Sequence, residues 1–166
     1  LLRNDGCHRK VRSARLPPDA AGEAGVMADG FDPAAFMRAA GTFGHAALLG
    51  AHYAAHGPDW AELAMDPDPR FADADGAPAF GPIATLLDMA AGTAVWIQLG
   101  RFRPHATLDL RVDRLRPGRP GRTIVARGTC HSIADPLAFV GGLAHDGDLD
   151  DPIARLAGTF MMTGRW

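Results

Sequence analysis

Asp88 is the only charged residue in the run Gly-Pro-Ile-Ala-Thr-Leu-Leu-Asp-Met-Ala-Ala-Gly-Thr-Ala-Val-Trp-Ile-Gln-Leu-Gly that spans Gly81 to Gly100. An ionised carboxylate inside an apolar helix is costly to desolvate without a partner. Burial raises its pKa while hydrogen-bond donors or a helix dipole lower it, and a base active near neutral pH needs that balance. Asp88 is therefore the first candidate for general-base or nucleophilic chemistry. A structural acid that accepts hydrogen bonds is the plainer use of the same residue. Thr85 and Gly92 lie about one turn before and after it on the same helix face. Thr85 could bond the carboxylate or its water, although a helical Thr more often bonds the carbonyl one turn back. Gly92 costs about 1 kcal/mol against Ala in a helix, which points to close approach by a strand or by a partner helix.

Other residue groups offer less. Arg101, Arg103, Arg111, Arg114, Arg116, Arg119 and Arg122 crowd together, and arginine suits bidentate contacts to phosphate. A solvated charged surface is the competing use. His52 and His56 are four apart on a predicted helix and could share a metal, but no third ligand lies near them in sequence. Cys7 and Cys130 follow no metal or redox spacing. A reduced, cytoplasmic setting suits them, with Cys130 a buried strand residue and Cys7 on a tail.

Composition narrows the class. The 166 residues carry a formal net charge of −2, are 47% hydrophobic and 22% charged, and suit one globular domain. All but one of the 17 basic residues are Arg, the exception being Lys10, a bias of GC-rich coding. With no basic field and few aromatics among the arginines, nucleic-acid binding is not expected. Residues 1–15 are basic with no apolar stretch after them, so no secretory leader is expected. Leu in place of Met at position 1 is what a fragment or a processed chain shows. The 81–100 run approaches membrane-spanning length, but Asp88 at its centre and its small residues favour a buried core helix, with no membrane association.

The elements that must position Asp88 follow from pattern. Residues 1–30 lack sustained periodicity and read as a flexible tail. Asp32-Pro33 supplies an N-cap and an N1 proline for a helix over about 33–56, with apolar residues at Phe36, Ala40, Phe43, Ala47, Leu48 and Ala51. Trp60–Met65 reads as a first strand, and 67–80 as a loop. After the apolar helix the period becomes two. Leu108, Leu110 and Val112 alternate with Thr107, Asp109, Arg111 and Asp113, one apolar face against one polar face. Arg116-Pro-Gly-Arg-Pro-Gly121 is a turn, and strands follow at about 122–132, 137–145 and 153–163. Connections this short favour antiparallel neighbours. The expectation is an α+β domain over 31–166, with a five-stranded antiparallel sheet wrapped around the one helix that is apolar on nearly all sides.

The order strand, buried helix, four-strand meander is that of the hotdog fold. The segments Thr85-Leu-Leu-Asp88 with Gly92, Ala106-Thr-Leu-Asp-Leu-Arg-Val-Asp-Arg-Leu-Arg-Pro-Gly-Arg-Pro-Gly121 and Ala157-Gly-Thr-Phe-Met161 resemble the PaaI-like acyl-CoA thioesterases of that superfamily. The likeness covers residues 58–163. It implies a hydrolase in which Asp88 is general base on water, or nucleophile, at a thioester carbonyl. It further implies that a backbone N–H of Phe80 or Gly81 polarises the thioester oxygen and that Thr107 assists from the adjacent subunit of a homodimer or homotetramer. Asp73 falls where relatives often carry a polar residue ahead of the acid. Arg114 and Arg116 fall near the nucleotide end of coenzyme A, and Thr85 near the carboxylate. No metal or redox cofactor is implied. One departure stands out. Relatives usually begin the helix with His-Gly-Gly, where this chain has Ala79-Phe80-Gly81. That change keeps open a hotdog protein that binds acyl-CoA without hydrolysing it. Hotdog hydratases typically need an Asp/His pair close in sequence, which this chain does not show.

Overall fold

Asp32 opens the first helix as its position predicts. Its carboxylate accepts from the Ala34 and Ala35 amides at 2.9 and 3.0 Å, with Pro33 at the first helical position. The computed structural model describes residues 26–27 and 30–163 of the chain. Within them lie β1 (Val26–Met27), β2 (Gly30–Phe31), α1 (Pro33–Ala40), α2 (Gly44–Leu49), β3 (His52–His56), β4 (Trp60–Met65), a 3₁₀ turn (Pro69–Phe71), α3 (Phe80–Leu99), β5 (His105–Arg114), β6 (Ile124–Ala134), β7 (Leu137–His145) and β8 (Ala154–Met162). β1 and β2 form a short antiparallel ladder. The rest of the expected tail over 1–30, Cys7 included, lies outside the described residues.

The other strands make one antiparallel sheet in the order β3-β4-β6-β7-β8-β5. The sheet therefore has six strands, where the sequence predicts five, and β5 crosses to the far edge to pair with β8 instead of lying beside β6, so only β6, β7 and β8 form the predicted meander. The extra strand corrects the helix expected over 33–56. That helix stops at Ala40, a second one ends at Leu49, and Gly50 turns the chain in the left-handed region at φ 63°. Residues His52–His56 then alternate exposed and half-buried and pair with β4. His52 and His56 thus share no helix face. His56 Nδ1 is instead 2.7 Å from the Tyr53 hydroxyl.

α3 is apolar almost all round and is the core on which the sheet closes. Ile83, Leu86, Leu87, Ala90, Ala91, Ala94 and Val95 are buried against Leu63 and Met65 of β4, Ile124, Ala126 and Cys130 of β6, and Val140 of β7. Burying each large aliphatic side chain contributes about 2 kcal/mol. By length and composition α3 could cross a membrane, and half of that stretch is buried within the fold. β6 comes close enough that a Cβ on Gly128 would run into the Ala90–Ala91 backbone. Cys130 is buried in β6 as predicted, and desolvation pushes its thiol up to about 11.

Candidate active site

The site lies where α3 meets β5, the strand at one edge of the sheet. A uniform alternation along β5 would place Thr107 on the same face as Asp109. The strand does not alternate uniformly. Thr107 pairs with Phe160 of β8 and Asp109 pairs with the next residue, Thr159, which leaves Leu108 as the extra residue of a β-bulge. Leu108, expected on the apolar face, is 54% exposed. Phe160 is buried, so the bulge turns Thr107 toward the helix together with Leu110 and Val112, while Asp109 stays on the outer side with the exposed residues.

Thr107 Oγ1 donates to Asp88 Oδ1 at 2.9 Å. The resemblance implies this contact across a dimer, but the hydrogen bond forms within one chain. Asp88 is half-buried. Desolvation raises its carboxyl above the ordinary value, and the Thr107 hydroxyl, which favours the charged form, opposes part of that rise. Thr85 takes no part in this pair, because its hydroxyl donates to the Gly81 carbonyl one turn back at 3.2 Å.

One turn further along α3, Gly92 makes room for a residue that sequence reasoning passed over. A Cβ at Gly92 would lie 2.9 Å from His105 Nε2. The His105 ring meets Trp96 at 4.7 Å and Phe160 edge-on at 4.9 Å. Desolvation lowers its pKa to about 4, with a hydrogen bond to the Arg103 backbone opposing part of that shift. The available signal was spacing. His105 and Thr107 are two apart on one strand, so both reach α3 once Thr107 does.

α3 opens at Phe80 after Ala79, whose side chain makes no capping hydrogen bond. The first amides of a helix have no intrahelical acceptor, and Pro82 has no N–H, so Phe80 and Gly81 carry the donors of this turn. Phe80 packs against the core in ordinary backbone geometry, and Gly81 is exposed with open space where a Cβ would sit. Beside this helix start lies a cleft of 260 Å³, lined by Met65, Phe71, Pro78 and Ile124 with Asp66, Asp68 and Arg122 among its walls.

The remaining predicted residues have other duties. Asp73 closes the loop that leads to α3, its Oδ1 accepting from the Asp75 and Ala77 amides, each at 3.0 Å. Arg114 is exposed at the end of β5. Arg116 corrects its expected role as a phosphate ligand. Its guanidinium is bound to Asp146 at 2.8 and 3.1 Å, to the Asp151 carboxylate at 2.9 Å and to the Asp151 carbonyl at 2.6 Å. Asp146 is buried, and Arg116, with the Arg119 amide and guanidinium, holds its carboxyl down to about 2. Arg116 and Arg119 thus pin the 116–121 turn to the loop after β7. Among the described residues no group of three or more His, Cys, Asp or Glu is placed to hold a metal.

No family model and no curated protein matches the sequence. Solved structures do. A Pseudomonas aeruginosa protein is 28% identical, with a TM-score of 0.66 over 72% of this chain and 90% of its own. A thioesterase family protein from Silicibacter pomeroyi is 24% identical, with a TM-score of 0.68 over 80% of this chain and 100% of its own. The Escherichia coli PaaI protein from the phenylacetic acid degradation operon is 18% identical, with a TM-score of 0.64 over 72% and 83%. The PaaI-like resemblance read from the sequence holds in the fold: an antiparallel sheet on a long central helix, the hotdog fold of PaaI and of thioesterase-superfamily structures.

Proposed function

We propose that this protein is an acyl-CoA thioesterase that works as a homodimer. The observation that carries the reading is the half-buried Asp88 carboxylate, raised in pKa by its burial and held by Thr107, on the core helix of a hotdog fold. In this reading Asp88 takes a proton from water as the water oxygen attacks the thioester carbonyl. The C–S bond then breaks, and the proton leaves with the thiolate as free coenzyme A. Direct attack by the carboxylate, followed by hydrolysis of the anhydride, uses the same group. The developing oxyanion is met by the Phe80 or Gly81 amide at the positive end of the helix dipole.

Geometry argues for two chains. Asp88 lies eight residues beyond Phe80, about 12 Å along the helix axis. One carbonyl group cannot sit within hydrogen-bond reach of both. A second copy, bringing its own helix start to this chain's Asp88, removes the conflict.

A second reading has an observation of its own. The helix start Ala79-Phe80-Gly81 has lost the His-Gly-Gly of relatives, which favours a protein that binds acyl-CoA and leaves it intact. Thiol release from a panel of short, medium, long and aryl acyl-CoAs separates the two. For a thioesterase, Asp88→Asn lowers turnover by about a hundredfold or more and keeps binding. Absence of hydrolysis by the wild type, with acyl-CoA still raising its melting temperature, would establish the binding protein.

A further inference from the structure

We propose that the outer face of the sheet carries a second ligand site, a phosphate-binding trough across β6, β7 and β8. It lies on the side of the sheet away from α3 and Asp88, so it stands independently of the thioesterase reading.

Strand alternation sorts the residues. Along β6, Ala126, Gly128 and Cys130 are buried toward α3, and Arg127, Thr129 and His131 take the opposite face. The ladders then fix their neighbours. Arg127 is opposite Leu143 and Leu143 opposite Arg155, while Thr129 is opposite Gly141 and Gly141 opposite Ala157. A row with an arginine on each side therefore runs beside a row of small residues. The two arginines are two strands apart, about 10 Å between Cα atoms, a span their side chains can close around one group.

His131 supplies the third side. β6 bulges between Cys130 and Ser132, which leaves His131 without a counterpart on β7. Gly141 belongs to the outer face yet is buried, and a Cβ on it would run into His131 Nε2. The imidazole thus lies over the glycine, and a trough of 280 Å³ opens among Arg127, Thr129, His131, Leu143 and Arg155.

Charge and donors define the ligand. Among the described residues no carboxylate lines the trough. The acids of this face lie on the flanking strands. Glu62 on β4 is held by Arg127 at 2.6 Å, Asp113 on β5 is held by Arg111 at 3.0 Å, and Asp109 sits farther along β5 opposite Thr159. Trp60 backs the Arg127 guanidinium at 4.3 Å, and its Nη1 takes no partner among the described residues. The side chains of Thr129, His131 and Arg155 likewise have no partner among the described residues. Guanidinium, hydroxyl and imidazole donors around one uncompensated positive charge call for an anion with more than two acceptor oxygens, which is phosphate. The volume suits the free ion or a small phosphate monoester and falls short of a larger ligand.

Calorimetry at low ionic strength with inorganic phosphate and with glycerol 3-phosphate tests the site. The wild type should bind one equivalent of phosphate per chain with a Kd of about 1 mM or below. Arg155→Gln should weaken this about tenfold or more, and Thr129→Val about fivefold. Arg38→Gln removes the same charge from an exposed position on α1 and should change it by less than about twofold. Tighter binding of glycerol 3-phosphate would identify a monoester as the ligand, and binding of inorganic phosphate alone would identify the free ion. Either result upholds the site. No saturable binding, unchanged binding in Arg155→Gln, or an equal loss in Arg38→Gln would overturn it.

Discussion

Asp88 carries a conflict between burial and ionisation. Its carboxyl titrates above the ordinary range because it is desolvated, so the folded chain holds that proton more tightly than the unfolded chain does. Stability from this group is complete below the unfolded pKa of about 4 and is lost as pH rises through the higher folded value. Asp88→Asn should therefore raise the melting temperature at neutral pH while abolishing turnover, and a lower melting temperature would contradict this account of its burial. Thr107 acts on the same equilibrium from the other side, because its hydroxyl favours the ionised form. Replacing Thr107 with Val should move the acid limb of the kcat/KM profile to higher pH, and Ser should restore it. An acid limb that stays in place in Thr107→Val would remove Thr107 from the site.

At the scale of elements, two close fits create the site. The bulge at Leu108 puts Thr107 and Leu110 on one face of β5, three residues apart, where plain alternation would separate them. Along α3, small residues let the sheet approach. Gly128 admits β6 to the Ala90–Ala91 backbone, and Gly92 admits the His105 ring. The obstacle at Gly128 is main chain, which cannot yield as a side-chain end would. Gly128→Ala should cost about 3 kcal/mol in denaturant unfolding. A loss under about 0.5 kcal/mol, typical of a surface substitution, would show that helix and strand are not held this closely.

For the whole molecule, the separation between helix start and carboxylate is the basis of the proposed two-chain site. Mixed dimers test this directly. Asp88→Asn removes the carboxylate, and Gly81→Trp sets a bulky side chain over the helix start, at a position where a Cβ meets nothing within 4 Å. Each homodimer should be inactive. A mixed dimer unites the intact helix start of the first variant with the intact Asp88 of the second, so random mixing should restore about a quarter of wild-type activity. No recovery on mixing would confine the site to one chain. The buried Asp146, shared by Arg116 and Arg119, holds the 116–121 turn in place and leaves Arg122 beside the cleft.

Residue pattern alone determined the long apolar helix with its single carboxylate, the N-cap at Asp32 and the run of strands that follows the helix. These rest on local periodicity and local hydrogen bonding, which a linear chain displays. The sequence did not determine that 52–56 is a strand, because its identity depends on a partner strand and not on its own weak alternation. Nor did it reveal the duty of Arg116, since the carboxylates that bind it lie some thirty residues away in sequence. The inward turn of Thr107 and the seat of His105 over Gly92 were likewise decided only by the tertiary structure. A bulge is a mismatch between two strands, and a helical glycine's neighbour is set by packing, so neither is written in the period of one segment.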